Sequence, residues 1–432
     1  MLFKNIGIVD ENFDYVKSMF VETKDDRIVY VSSVRPENYE GEEYDGTGKV
    51  LMPGFVNAHS HSPMTLLRGY AENLPLQRWL NEKVFPFEDR IKGEDAYYSS
   101  MLAIAEMLRY GTISFSDMYF FSENVAKAVT DSGIKCNFSR AITSFEDTDI
   151  ENLQSFRESE DIVKRFHNAA DGRLKIDMSL HAEYTNRRTI IEQFAEKVRE
   201  RGLRAHIHLS ETKKEHEECK AKYSLTPTQL FCECGVFDVP TTAAHCVWVE
   251  DGDIEILREK GVTAATCPAS NLKLGSGICD VYKLLKSGVN VAIGTDSVAS
   301  NNNLNMIKEM FLCALLPKGL HNDASVVSER DILKMATVNG YKAQGREDSG
   351  AIKAGYKADI CVLNIESEHM YPQTDMINNL VYAADGADVV LTMADGRVLY
   401  KDGEFTTIDI EKVKSTVNAA ASRIISEVKK NG

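Results

Sequence analysis

No stretch of this sequence approaches the roughly 18 consecutive apolar residues that mark a membrane span, and none of its low-complexity or repeat signals rises above background. The start, Met1-Leu2-Phe3-Lys4-Asn5, has no basic region leading into an apolar run, so a cytoplasmic protein without a membrane partner is expected. Positive charge is also in short supply: 50 Lys plus Arg stand against 65 Asp plus Glu, a formal net charge of −15. A surface this acidic repels phosphate backbones and anionic lipid, which argues against nucleic-acid partners. Thiol pairing is missing as well. The nine cysteines are odd in number, and the only close pair, Cys232 and Cys234, has one residue between its members where zinc and redox motifs have two. These cysteines suit a reducing compartment, and Cys232 and Cys234 read as helix-packing residues. What remains is ordinary: 43% hydrophobic and 27% charged residues over 432 positions exclude disorder, collagen and a disulfide miniprotein, and leave an ample core.

Residues 1–52 read as short alternating strands broken by Asn, Asp and Gly. From Pro53 onward, short β-branched runs alternate with longer segments of helical period, the mark of a parallel sheet with crossover helices. Eight such strands are expected: Gly54–Ala58, Thr112–Ser116, Lys135–Ala141, Lys175–Leu180, Arg204–Leu209, Thr241–His245, Val262–Thr266 and Asn290–Thr295. Eight strand-helix units predict an α/β fold with a (β/α)8 barrel of the TIM type over residues 53–352. After it, Ile352 to Leu363 and Val389–Lys401 return to strand alternation, and 408–430 has the period of an amphipathic helix. Residues 1–52 and 353–432 together are therefore expected to form one small β-sandwich domain with a C-terminal helix.

The chemistry-bearing residues fall at the ends of the predicted strands. The first ends Asn57-Ala58-His59-Ser60-His61, and residues two apart in a strand share a face, so both imidazoles can aim into the barrel mouth. The bland alternative is two solvated loop histidines, but strand C-termini are where barrels carry their active sites. The fifth strand, Arg204-Ala205-His206-Ile207-His208-Leu209, puts His206 and His208 on one face, and either could be a third ligand. Glu211 lies just beyond it, His245 ends the sixth strand and Asp296 follows the eighth, where alone it would read as a helix cap. Histidines and acids at four strand ends point together to a mononuclear metal hydrolase.

These motifs, from Pro53-Gly54-Phe55-Val56-Asn57-Ala58-His59-Ser60-His61 through His208-Leu209-Ser210-Glu211, Ala244-His245-Cys246 and Gly294-Thr295-Asp296 to Gly355-Tyr356-Lys357-Ala358-Asp359, resemble the amidohydrolase superfamily over nearly the whole chain. The resemblance implies His59, His61, His208 and Asp296 as metal ligands, with Glu211, His245 and Asp296 as the catalytic groups. It implies one divalent ion, zinc first, with iron or manganese as alternatives. The binuclear branches carry a modified lysine at the end of strand four, where this chain has Ser179-Leu180-His181-Ala182-Glu183.

Within the superfamily the chain is similar to the S-adenosylhomocysteine/5′-methylthioadenosine deaminases through Trp79, Glu88 in Phe85-Pro86-Phe87-Glu88, Arg140 and His181. The likeness implies a small-molecule nucleoside substrate bound by these four residues and Glu211: Glu88 on the ribose hydroxyls, His181 on the adenine ring, Arg140 on a distal carboxylate. Structural readings compete, with Trp79 packing a helix and Arg140 pairing with a rim acid. Relatives often supply a second arginine soon after the first; 142–154 has none, and Arg157 is the nearest candidate. The implied reaction is hydrolysis of the 6-amino group of S-adenosylhomocysteine, 5′-methylthioadenosine, 5′-deoxyadenosine or adenosine. Rivals on the same scaffold are guanine, cytosine or triazine aminohydrolases and chlorohydrolases, which have no ribose for Glu88 to hold. A non-catalytic scaffold would have lost ligands that are all present here. The cytidine-deaminase class needs Pro-Cys-x-x-Cys, which Thr266-Cys267-Pro268-Ala269-Ser270 is not. A homo-oligomer is compatible with the sequence.

Overall fold

The computed structural model describes residues 1–74 and 76–431, so Gly432, the last residue of the expected accessory domain, lies outside the described residues. Eight parallel strands form where β-branched runs are buried on both faces: β1 (Phe55–Ser60), β2 (Thr112–Met118), β3 (Lys135–Ser139, resuming as Ala141–Ile142), β4 (Leu174–Ile176, resuming as Met178–Leu180), β5 (Ala205–Leu209), β6 (Thr241–His245), β7 (Thr263–Thr266) and β8 (Asn290–Ile293). These match the sequence expectation to within a residue or two at each end. Hydrogen bonding groups them into two arcs. One runs from β1 through β2 and β3 to the first part of β4, and the other from the second part of β3 through β4, β5, β6 and β7 to β8. Since β3 and β4 each contribute to both arcs, the arcs are joined through the chain itself.

At the far ends, β8 comes alongside β1. The His59 carbonyl accepts from the backbone N–H groups of Thr295 (3.2 Å) and Asp296 (2.9 Å). The Asn57 amide donates to Thr295 Oγ1 at 2.7 Å, and its oxygen accepts from Thr295 N–H at 2.9 Å. Gly294 makes this approach possible: a Cβ there would stand 2.9 Å from the backbone nitrogen of His59. Helices cover the outside of the strands. In Arg188–Arg201, for example, Ile190, Ile191, Phe194, Ala195 and Val198 recur at helical spacing and are buried, and Gly202 ends the helix in the left-handed conformation.

The two chain ends build one nine-stranded sheet. Its order runs Glu404–Phe405, Arg397–Lys401, Val389–Ala394, Ile360–Asn364, Lys49–Pro53, Leu2–Val9, Tyr15–Lys24 and Arg27–Ser32, with Glu43–Asp45 beside Leu2–Val9. The sheet curls back on itself, since Ile28 N–H donates to the Tyr356 carbonyl and Gly355 N–H to that of Ile28. Phe3, Ile8, Ile28, Leu51, Val362 and Met393 share the resulting core. The sheet is clamped to the parallel strands by Lys135, buried at the start of β3, which pairs with Asp359 (2.5 Å) and Asp395 (2.8 Å). Helix Ile410–Asn431 buries Val413, Val417, Ala420 and Ile424 in the cluster of helix Gly93–Arg109. No described helix is long and apolar enough to cross a membrane, and all nine cysteines are free.

Candidate active site

Five imidazoles converge at the C-terminal ends of the strands. His59 is completely buried, and its Nδ1 lies 3.0 Å from His206 Nε2. His61 Nδ1 donates to the Met118 carbonyl at 2.5 Å, and His208 Nδ1 to the His181 carbonyl at 2.6 Å. A ring nitrogen that faces a carbonyl must carry the proton, so the Nε2 lone pairs of His61 and His208 are left facing the centre. Asp296 completes the group. Its Oδ1 stands 3.3 Å from His61 Nε2 and 3.7 Å from His59 Nε2, while its Oδ2 accepts from Ser270 Oγ (2.5 Å) and Ser300 Oγ (3.0 Å).

Two overlapping sets, His59 with His208 and His245, and His59 with His61 and Asp296, have ligand atoms within 4.8 Å of one another. Strand alternation leaves His206 and His208 equivalent, but their rings differ in what they touch: His206 places its Nε2 against His59, while His208 stands in one of these sets. The fit to a divalent ion can be judged from the donors. His59 Nε2 is buried with no hydrogen-bond partner. Burial pushes His206 down to about 3 and His181 to about 4, and burial with neighbouring imidazoles lowers His59 and His208, so these rings are neutral, as ligands must be. Burial also opposes charge on His61 and Asp296. Their mutual hydrogen bond overrides it, carrying His61 up to about 9 and holding the Asp296 carboxyl well below the usual carboxylate range. His61 Nε2 thus shares a proton with Asp296 that an incoming ion would displace, and the neutral rings of His59 and His208 with the ionised carboxylate form a set suited to a borderline cation.

The backbone is strained at this point. His245 (φ +74°), Asp296 (φ +57°) and Ser210 (φ +47°) all occupy the left-handed region just past strand ends. His245 Nδ1 meets the Asn271 side-chain oxygen at 2.9 Å, and its Nε2 lies 3.9 Å from Glu211 Oε2. Ser276 Oγ donates to the other Glu211 oxygen at 3.3 Å, while burial raises the Glu211 carboxyl above its ordinary range. Asn271, Ser270, Ser276 and Ser300 are absent from the sequence expectations. The first two lie in the short helix Pro268–Lys273 that follows β7, and a position just beyond a strand C-terminus is the signal that could mark them.

These groups form the floor of a cavity of about 360 Å3 whose walls include Trp79, Glu88, Arg140, His181 and Tyr184. All four expected substrate-contacting residues therefore reach one space. Trp79 Nε1 donates to the Ala71 carbonyl at 3.1 Å, fixing the ring at the wall. Glu88, at the end of helix Phe85–Glu88, accepts from Tyr119 OH at 2.5 Å; burial raises its carboxyl to about 7 against the pull of that hydrogen bond. Tyr119 is a further residue that sequence reasoning missed. Arg140 is already engaged: its Nε–H donates to Glu158 at 2.8 Å and Nη1 to the Ala141 carbonyl at 2.7 Å. Arg157 is exposed and spends its guanidinium on the Glu151 and Asn152 carbonyls, outside the cavity. It does not supply a second cavity arginine. Lys175, at the start of β4, donates to the Gly345 carbonyl at 2.7 Å and is not a lining residue of the cavity.

The sequence profile of the Amidohydrolase family matches residues 50–399. A 5-methylthioadenosine/S-adenosylhomocysteine deaminase of Dictyoglomus thermophilum is 45% identical over 383 residues, covering 89% of each chain. A 5′-deoxyadenosine deaminase of Methanothermobacter thermautotrophicus is 40% identical over 401 residues, 93% of each chain. Among solved structures, a zinc-bound adenosine deaminase from Xanthomonas campestris superposes with a TM-score of 0.92 at 29% identity, covering 98% of each chain.

Proposed function

The chain belongs to the amidohydrolase family, and on that premise we propose that it is a cytoplasmic, zinc-dependent deaminase of adenosine-type nucleosides. Its substrates are 5′-methylthioadenosine, S-adenosylhomocysteine, 5′-deoxyadenosine and adenosine, and its products the 6-oxo purine nucleosides and ammonia. The observation that carries this reading is one cavity holding both a metal-type His/Asp group and, on its walls, the half-ionised Glu88 with His181 and Arg140. A bare base offers nothing for Glu88 or Arg140 to hold. The activities of these relatives, methylthioadenosine, S-adenosylhomocysteine and 5′-deoxyadenosine deamination, agree with it.

The supporting frame is a (β/α)8 barrel over 53–352. Its closure rests on the β1–β8 hydrogen bonds of His59 and Asn57. Residues 1–52 and 353–432 form the accessory domain, with the curled sheet folding over its own core in the manner of a sandwich. In the catalytic centre His59, His61, His208 and Asp296 would hold the ion, and a single ion is favoured because Lys175 does not reach the cavity. A divalent ion bound there would supply an acidified water. Asp296 and His245 are placed to take a proton from water attacking the purine carbon that bears the amino group. Glu211, whose carboxyl burial shifts towards the protonated form, is placed to give a proton to the adjacent ring nitrogen, which makes the carbon electrophilic. The amino group leaves as ammonia with the proton held by Asp296 and His245, and the remaining proton of the added hydroxyl returns to Glu211 as the ring carbonyl forms.

The test is ammonia release over a panel of 5′-substituted adenosines, free adenine and free guanine. Nucleosides should far outrun the free bases, because a substrate without ribose leaves the buried Glu88 carboxyl without the ribose hydroxyls it would hold. A free base turning over as fast would overturn the nucleoside reading in favour of a base-specific aminohydrolase.

Two further outcomes follow from the geometry. His208→Ala should strip the ion, whereas His206→Ala, which removes only the partner of His59 Nδ1 at 3.0 Å, should keep it with roughly 10–100-fold weaker affinity. Competition with a chelator, read by elemental analysis, distinguishes the two, and the reverse ranking would show that His206 is the ligand. The second concerns Glu88. Its ionised form is the better acceptor for ribose, and its raised value near 7 means that affinity for the inosine-type product falls as pH drops through that range. Tyr119→Phe deletes the hydrogen bond that opposes the rise. A charge-assisted bond is worth about 1.5–3 kcal/mol, so the acid limb should move up by about one pH unit or more. Calorimetric titration across pH checks this, and an unmoved limb removes Glu88 from ribose recognition.

A further inference from the structure

Among the described residues lining the cavity Arg140 is the only arginine, and its guanidinium does not face the cavity uncommitted. Glu158, in helix Gln154–Phe166, places Oε2 2.8 Å from Arg140 Nε. The carboxylate is itself fixed: Gln154 Nε2 donates to its Oε1 at 2.8 Å. Ser159, the next residue, donates from Oγ to the Arg140 carbonyl at 3.1 Å and ties the helix to this point of the barrel. With Nη1 on the Ala141 carbonyl, the Nε edge, where a carboxylate binds bidentately, is taken by a protein carboxylate. The cavity's carboxylates are Glu88, Glu211 and Asp296, its histidines belong to the floor and the adenine side, and Arg157 is turned away.

We propose that Glu158 is a specificity residue: by occupying Arg140 it disfavours substrates whose 5′ arm ends in a carboxylate and favours those with short, uncharged 5′ substituents. An incoming carboxylate must either displace Glu158 and leave that charge beside its own, or accept the remaining edge of a guanidinium already neutralised. Methylthioadenosine and 5′-deoxyadenosine bear no such group and meet no penalty. The inference rests on the nucleoside-deaminase reading above, in which Arg140 faces the distal end of the substrate.

The experiment measures kcat/KM for three thioadenosines in the wild type, E158Q and E158A. One ends in methyl, one is S-adenosylhomocysteine, and one is its desamino analogue, which has the carboxylate and no ammonium. Both substitutions should raise the ratio of carboxylate-ended to methyl-ended kcat/KM by about tenfold or more, the size of one charge-assisted hydrogen bond regained. The desamino analogue should gain most, because Glu158 offers nothing to it but repulsion. An unchanged ratio in both variants, with methylthioadenosine turned over, overturns the inference and leaves the nucleoside reading standing. A fall in the ratio for S-adenosylhomocysteine overturns it in favour of a clamp in which Glu158 binds the ammonium. Failure of the wild type to deaminate any of the three overturns the nucleoside reading and the inference with it.

Discussion

Replacing Glu211 with Gln will leave the metal and substrate bound and remove ~10²–10⁴-fold of kcat, the usual worth of a positioned acid-base group. The amide keeps the shape of the side chain and can still accept from Ser276 Oγ, which now lies 3.3 Å from the carboxylate. It has no proton to give to the ring nitrogen. Burial raises the Glu211 carboxyl above its ordinary range, which favours the protonated form, and His245 Nε2 stands 3.9 Å from it. A loss confined to kcat, with unchanged ion content and product affinity, is the expected pattern. A variant with near-normal turnover would take Glu211 out of the reaction and leave proton delivery to His245.

The largest expected effect on stability is far from the cavity, at Lys135. Its ammonium is buried between Asp359 and Asp395, and Lys135→Met would strand two carboxylates in the junction between sheet and barrel. Removing one partner of a buried ion pair costs about 3–5 kcal/mol, which should appear as a clear drop in the urea midpoint. Lys135→Met combined with Asp359→Leu should recover much of the loss, since Asp395 keeps Lys357 at 3.6 Å. If the double variant is no better than the single one, the junction is held by shape and not by charge. The pH dependence has a definite sign. The Asp359 carboxyl, opposed by burial but carried by Lys135, lies below its ordinary 3.8, so its contribution is fully present above that value and is lost as pH falls through the lower one.

The strands and the acids and imidazoles at their ends were readable because both follow local rules. A buried parallel strand is a short β-branched run, and alternation alone places His59 with His61 and His206 with His208 on common faces. Alternation cannot choose within the second pair. That choice depends on the His181 carbonyl beneath His208 and on the ring of His59 beside His206, contacts 27 and 147 residues away. Asn271 and Ser270 were hidden for a similar reason: the helix that holds them, Pro268–Lys273, is too short to show a period, and position after β7 says that they are near the centre but not which group each one meets. Arg140 was legible as a rim arginine, but Glu158, 18 residues on, sits on a helix whose charged residues read alike until one of them turns inward. The order of the accessory sheet was equally out of reach, since Lys49–Pro53 lies between Leu2–Val9 and Ile360–Asn364 and only long-range pairing sets that.

The join between β1 and β8 also sets a schedule for the newborn polypeptide. Asn57 must wait for Thr295, 238 residues later, before its amide finds a partner, and His59 waits equally long for the backbone of Asp296. During synthesis the N-terminal histidines leave the ribosome first, so a nascent chain carries imidazoles without the carboxylate that completes their set. An ion that meets the chain early finds a partial and mobile group of donors. On the proposed ligand set the donors are gathered only when the eighth strand docks, so metal capture would be a late event in biogenesis and a readout of that docking. A chain arrested before residue 290 should therefore remain open to chelators, while the full-length product, once loaded, should release its ion slowly.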